Sequence, residues 1–526
     1  MVILRRRHSH HRPRLLGAAL AAALLAATVS CTGGGSSGSG SPSTKSASSV
    51  PSASSTASGA ASGPDHPNIV FVLTDDLSSN LVRYMPQVGK LERDGTAFSD
   101  YFVTDSLCCP SRSSILTGDY PHNTGVFTNT GSDGGYGAFN SNGDEKKCYA
   151  PALQQAGYRT GFMGKYLNGY EPKDTHGTGT PYVPPGWDEW DTAGNGYPEF
   201  DYDLNENGKV VHYGHDPQDY LTDVVSRKAG DFIDSAAADH KPFMLELATF
   251  APHGPSTPAP RDAHVFPGLK APRDPAYNTA SSPTPKWQSG LKPLSAKEQQ
   301  SIDRKFAKRV RSVQAVDDLI ANVRAKLAAK GLADDTYIVF SSDNGFHMGE
   351  HRLRPGKQTA YDTDIRVPLV VAGPGVPGGR TVSALAENVD LSPTFQDLAG
   401  AGAPATADGR SLVPLLHGAP PADWRQAVLV EHHHPATKKG DPDAAPDNSG
   451  NPPTYEAIRT ADALWVEYAD GEREFYDTTA DPDELRNGAA TLPAARSTAL
   501  HTTLTALQHC KGTAACTKAA TLTPGH

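Results

Sequence analysis

The sequence predicts an α/β fold: a large mixed, mostly parallel sheet between helices, followed by a small C-terminal α+β subdomain with a short antiparallel sheet. Three observations lead there. Short, continuous apolar runs recur at 68–76, 243–249, 337–342 and 367–372, and runs apolar on both faces are typical of parallel strands covered by helices. A long helical pattern lies between the second and third runs, so strands and helices alternate. After about Pro421 the pattern changes to short strands separated by tight turns.

The chain has 526 residues, 37% of them hydrophobic, enough for one large domain and a smaller one. Net charge is −10, from 48 basic and 58 acidic side chains, so no global field favours nucleic acid. The first 31 residues read as an export signal. Arg5, Arg6, Arg7, Arg12 and Arg14 precede an apolar run over 15–29 that is too short for a comfortable membrane span. Thr28-Val29-Ser30-Cys31 looks like a bacterial lipobox, which implies lipid on Cys31 and a place on the outer face of the membrane; simple cleavage and secretion is the alternative. Residues 32–64 are mostly Gly, Ser, Thr, Ala and Pro, bury too little surface to fold, and read as a linker. The main domain is expected over 65–420 and the C-terminal subdomain over 421–526.

The run at 68–76 ends in Asp75 and Asp76, and the run at 337–342 is followed by Asp343 and Asn344. Ligands of α/β sheets bind beyond the carboxyl ends of the strands, so these four residues are expected to meet. Their oxygen donors suit calcium or magnesium rather than zinc. Each pair alone reads equally well as a helix cap or turn. Ile302, Phe306, Val310, Val313, Leu319, Ile320, Val323 and Leu327 follow helical spacing, and Gly331 is a natural stop. Beyond Pro421, strands are expected at 427–431, 463–468 and 473–477, with Asp470-Gly471 as a hairpin signal and 440–453 as a loop.

The decisive segment is Cys108-Cys109-Pro110-Ser111-Arg112, continuing to Leu116-Thr117-Gly118. Pro110 suits the first turn of a helix, and such a helix aims free N–H groups at an anion beside its start. Arg112 adds a planar positive charge. The segment reproduces C-x-P-S-R-x-x-x-L-T-G, the signature of formylglycine-dependent sulfatases; seven specified residues at roughly 5% usage predict on the order of 10⁻⁶ chance matches. The resemblance implies an alkaline-phosphatase-like fold and hydrolysis of sulfate esters. It implies oxidation of Cys108 to formylglycine (3-oxoalanine) by a formylglycine-generating enzyme. It also implies Ca²⁺, with Mg²⁺ the lesser alternative, held by Asp75, Asp76, Cys108, Asp343 and Asn344.

Further elements are similar to that family. Gly164-Lys165 matches its G-K element, whose Lys contacts sulfate and nucleophile; His253 matches the P-H-x-P histidine at the leaving group; Lys357 matches the lysine beyond Asp-Asn-Gly. Many members read G-K-W-H-L-G, whereas here Lys165-Tyr166-Leu167-Asn168 puts Leu167 where that His stands, and leucine transfers no proton. The Gly-Lys-Tyr-Leu-Asn string, Cys-Cys-Pro-Ser-Arg and 312–318 resemble the N-acetylglucosamine-6-sulfatase and heparan endosulfatase branch, which implies a sulfated sugar such as 6-O-sulfated N-acetylglucosamine and a substrate role for Asn168. Aryl sulfates remain an alternative, with specificity expected in loops 129–147 and 174–201. Asp119 departs from the branch, where Arg or Lys is usual. His347 and His351 flank Asp343-Asn344 and are candidates for substrate contact, against simple loop bonding. His432, His433 and His434 alternate in direction on a strand, so a solvated or substrate-edge role is expected. Cys510 and Cys516 enclose a short loop and are expected to bridge; if Cys31 carries lipid and Cys108 is consumed by catalysis, Cys109 and Cys148 form a second pair. The rivals are a phosphonate monoester or phosphodiester hydrolase of the same scaffold and a non-enzymatic surface glycan-binding protein.

Overall fold

The computed structural model describes residues 66–434 and 446–522. The signal, the Cys31 lipidation site and the linker lie outside the described residues, as does part of the 440–453 loop. Among the described residues no helix is long and apolar enough to cross a membrane.

A ten-stranded sheet runs through the molecule in the spatial order Arg380–Val382, Thr96–Phe98, Leu369–Ala372, Thr336–Ser342, Asn68–Thr74, Phe243–Ala248, Arg159–Lys165, Glu189–Ala193, Tyr202–Glu206, Lys209–Tyr213. The five strands from Thr336–Ser342 to Glu189–Ala193 are mutually parallel, with antiparallel neighbours on both flanks. Alternation along Asn68–Thr74 explains the layering. Ile69, Phe71 and Leu73 point into one core while Val70 and Val72 point into the other. All seven residues of the strand are buried, as a strand covered on both faces requires.

The second core is roofed by the helices Leu221–Asp239 and Ala296–Ala329. All eight apolar residues expected on the long helix are buried, each stabilising by about 1.5–3 kcal/mol. Its start is fixed by a capping box between Ser295 and Glu298.

Beyond Pro421 the chain forms a four-stranded antiparallel sheet, Ala427–His432, Tyr455–Thr460, Ala463–Tyr468 and Arg473–Asp477. Tyr455–Thr460 was not expected from the sequence. Val428, Val430, Ala457 and Leu464 join the main core, while Leu429, Ile458 and Trp465 pack under Leu500 and Leu504 of the helix Ala494–Leu507. The described residues thus belong to one compact unit.

The Cys510–Cys516 disulfide is present as expected. The expected Cys109–Cys148 bond is not: both are free, buried thiols. They serve separate surroundings. Cys148 Sγ donates to the Asp144 carbonyl at 3.6 Å, whereas Cys109 lies in the first turn of the helix Cys108–Thr117. Burial pushes the Cys109 thiol up to about 12 and Cys148 well above its ordinary value, so both act as small apolar fillers.

Candidate active site

Four adjacent parallel strands deliver their chemistry at one edge of the sheet. Asn68–Thr74 leads into Asp75 and Asp76, Arg159–Lys165 ends on Lys165, Phe243–Ala248 leads to His253, and Thr336–Ser342 leads into Asp343 and Asn344. Gly164 makes the Lys165 position possible. Its φ is 105°, and a Cβ there would fall 1.9 Å from the Ala248 carbonyl oxygen of the neighbouring strand, so only glycine fits.

The helix Cys108–Thr117 starts at this edge, with Pro110 in its first turn as expected. Ser111 Oγ donates to the Asp343 carbonyl. Arg112 donates from Nε to Asp343 Oδ2 at 2.8 Å and from Nη1 to the Lys165 carbonyl at 2.8 Å. Cys108 Sγ therefore sits over the acidic groups, 3.2 Å from Asp75 Oδ1 and 3.9 Å from Asp76 Oδ1. Lys357 Nζ lies 2.6 Å from Cys108 Sγ and 2.7 Å from Asp76 Oδ1, and Lys165 Nζ donates to Asp75 Oδ2 at 2.6 Å. The Gly254 carbonyl accepts from His253 Nδ1–H at 2.8 Å, which aims Nε2 at the cluster, 3.6 Å from Asp76 Oδ2. Asn168 stands one layer out, donating to the Tyr197 hydroxyl at 3.1 Å. The Tyr197 ring packs against His253 at 4.5 Å and under Lys165 at 4.9 Å.

These residues fit a metal ion. One ligand atom each from Asp75, Asp76, Cys108 and Asp343 lies within 4.8 Å of the others, and all four residues are buried. Beside them Asn344 Oδ1 is buried without a partner, while its Nδ2 donates to Asp76 Oδ1 at 2.8 Å. Carboxylates with an orphaned amide oxygen make a donor set for a hard cation. Burial pushes the Asp75 carboxyl up, but Lys165, His253, Arg112 and Lys357 together outweigh it and hold the group well below the usual carboxylate range. Asp343 moves the other way, raised by burial and by the charge of Asp75 against the pull of Arg112.

Among the candidate histidines one expectation needs correction, the solvated place of His432. His351 does not join the cluster. Left-handed backbone at His351 and Arg352, φ 53° and 64°, turns the chain there. The His351 ring stacks on Tyr361 at 4.0 Å and lines a separate cavity of about 240 Å³, with Ser78, Phe346 and Glu484, that neither Cys108 nor its carboxylates border. Burial there pushes its pKa down to about 3. His347 is buried against Asp364, with Nδ1 2.9 and 3.0 Å from its oxygens and Nε2 without a partner. His432 is fully buried and stacked on Tyr455 rather than solvated. His433, just past the strand end, stacks on Phe127 at 3.7 Å and pairs with Asp133 at 3.1 Å, away from the His432 ring's partner Tyr455.

The structure also brings in residues that the sequence reading passed over. Asn129, at the start of the loop 129–147 expected to carry specificity, instead accepts with Oδ1 from the Cys109 N–H at 2.9 Å. Arg309 reaches the Asp76 loop from the long helix. It shares the buried face of that helix with Phe306, Val310 and Val313, and its only sequence signal was a basic residue among apolar ones.

Comparison with known proteins agrees with this geometry. The sulfatase family model matches residues 67–401, and that of the N-sulphoglucosamine sulphohydrolase C-terminal region matches 349–509. Human N-acetylglucosamine-6-sulfatase is 36% identical over 484 residues, covering 86% of each chain. The extracellular sulfatase SULF-1 homolog of Drosophila melanogaster is 36% identical over 375 residues, 69% of this chain and 33% of that one. A solved structure of a protein in complex with its substrate, D-glucosamine-2-N,6-O-disulfate, superposes with a TM-score of 0.70 at 25% identity, covering 84% of this chain and 97% of that one. The chain belongs to the sulfatase family. It is a sulfuric ester hydrolase on an alkaline-phosphatase-like sheet, and family membership implies a metal ion, which the buried cluster fits.

Proposed function

We propose that the protein removes sulfate from a sulfated sugar, a 6-O-sulfated glucosamine unit foremost, through formylglycine formed from Cys108 and with Ca²⁺ held by Asp75, Asp76, Asp343 and Asn344. The observation that carries the reading is the placement of Cys108 at a helix N-terminus, over buried carboxylates and 2.6 Å from Lys357. A calcium ion held there would supply positive charge to the sulfuryl group, while the hydrated aldehyde at position 108 would offer one hydroxyl as nucleophile and a second whose loss of a proton expels sulfate and restores the aldehyde.

The chain's own residues do the rest. Lys165, Lys357 and Arg112 place three positive charges around position 108, where they offset charge developing on the sulfuryl oxygens; buried and preoriented, they need no reorganisation. His253 presents Nε2 to the cluster while Gly254 holds its other nitrogen, a geometry suited to protonating the leaving oxygen. Leu167, two residues after Lys165, is buried and moves no proton. The sugar preference is supported by the relatives, the human N-acetylglucosamine-6-sulfatase above all. Export with a lipid on Cys31, and maturation by a formylglycine-generating enzyme, complete the proposal.

A substrate panel tests it. Sulfate release is measured on 6-O-sulfated N-acetylglucosamine, N-sulfated glucosamine, an aryl sulfate and an aryl phosphonate. The 6-O-sulfated sugar is expected to give the highest kcat/KM. Turnover confined to aryl sulfates, or a preference for the phosphonate, overturns the assignment.

A further inference from the structure

We propose that Arg309 is a positioning residue of this active site, one guanidinium that sets both the cation-binding Asp76 and the leaving-group His253. The inference rests on the reading of those two residues given above.

Arg309 lies on the long helix Ala296–Ala329 and is only 2% exposed. Nη2 donates to the Asp76 carbonyl, and Nη1 reaches the Pro252 carbonyl at 3.4 Å. The Phe346 ring lies against the guanidinium, 4.2 Å from ring centre to Cζ. Pro252 directly precedes His253, and Phe346 follows Asn344 by two residues. One planar fork thus touches three of the loops that carry the chemistry, at 75–76, 252–253 and 343–346.

The local backbone shows why such a hold matters. Asp76 adopts φ 64°, a left-handed conformation that a non-glycine residue keeps only when its surroundings impose it. The bond to its carbonyl is such a constraint, and it leaves both Asp76 carboxylate oxygens to Asn344, Lys357 and His253. Among the described residues Arg309 has no carboxylate in salt-bridge range. Burial accordingly pushes its pKa down to about 10, against the opposing pull of Asp76 and Asp75. A buried cation spent on two carbonyls is an expensive brace if it only packs. Here both carbonyls belong to loops whose side chains must be held to fractions of an ångström.

Arg309→Met keeps the stem and removes the fork; Arg309→Lys keeps the charge but has no planar fork to span two carbonyls. Calcium affinity is measured by titration calorimetry on metal-stripped protein. Turnover is compared between an aryl sulfate, whose leaving group needs little protonation, and the sugar sulfate, which needs an aligned acid. Arg309→Met is expected to bind calcium about 10–100-fold more weakly, the usual range for residues that orient ligands, and to lose more kcat on the sugar than on the aryl ester. Arg309→Lys is expected between the two. Wild-type calcium affinity together with equal losses on both esters overturns the proposal. Should Arg309→Met not melt cooperatively, the same two readouts in Arg309→Lys decide, and wild-type behaviour there overturns it. The wild-type titration run alongside separates this outcome from failure of the metal reading itself, which shows as no calcium uptake before any substitution.

Discussion

Lys165→Met tests the electrostatic design of the site most sharply. Lys165 Nζ and Asp75 Oδ2 are 2.6 Å apart, with side-chain exposures of 3% and 0%. Removing one partner of a buried pair costs about 3–5 kcal/mol because the other charge is left uncompensated. Arg112, His253 and Lys357 also act on Asp75, so the lower end, about 3 kcal/mol, applies to the metal-free protein. A folded region of this size carries roughly 1 kcal/mol of unfolding entropy per degree, so Tm falls by about 3 °C. A bound cation supplies charge beside Asp75, and with calcium present that deficit shrinks. Turnover does not recover with it. Loss of a preorganised charge at the reacting centre lowers kcat by about 10²–10³-fold. Melting curves of wild type and variant, with and without calcium, and kcat on one sulfate ester give both numbers. A variant that melts within a degree of wild type in metal-free buffer and keeps its kcat refutes the reasoning.

Other outcomes follow from the same structure. Burial and the nearby Asp408 raise Asp119 to about 7 against Lys147, and its side chain is only 12% exposed. A carboxyl raised on folding favours the native state below the unfolded value near 4 and loses that contribution as pH climbs through 7. Asp119→Asn is therefore expected to be more stable than wild type at pH 8, by at most about 4 kcal/mol at 1.36 kcal/mol per unit, with the gap closing by pH 4; a gap independent of pH, read from denaturant melts, contradicts this. An alkylating reagent should leave Cys109 and Cys148 unlabelled in the native protein and label both after unfolding without reductant, whereas Cys510 and Cys516 need reduction first. A peptide cross-linking Cys109 to Cys148 shows otherwise. Chelation should abolish activity, and calcium should restore it better than zinc, since the donors are oxygens; equal recovery with zinc rejects that assignment.

Much of the site was legible because strand ends carry it. The apolar run 68–74 needed cover on both faces, which made it a central strand and put Asp75 and Asp76 at its carboxyl end. The same logic placed Asp343 and Asn344, and the residues between the two runs spelled out the long helix. The signature at 108–118 singled out Cys108 as the candidate nucleophile. What escaped were features set by tertiary packing. His351 lies eight residues after Asp343, yet a left-handed turn carries it into another cavity. Counting cysteines paired Cys109 with Cys148, but a count holds no geometry, and each thiol is buried in its own surroundings. Arg309 was hidden because a helical pattern is read from its apolar members; the polar residue on that face was the one in contact with the site.

The central claim is that residue 108 is not a cysteine in the working enzyme. Intact-peptide mass spectrometry across Cys108, on protein from its native host or made together with a formylglycine-generating enzyme, tests it directly. The account predicts a peptide about 18 Da lighter than the cysteine form, the difference between a thiol and an aldehyde at this Cβ, with Cys109 in the same peptide unchanged. An intact thiol at position 108 in protein that turns over a sulfate ester contradicts it.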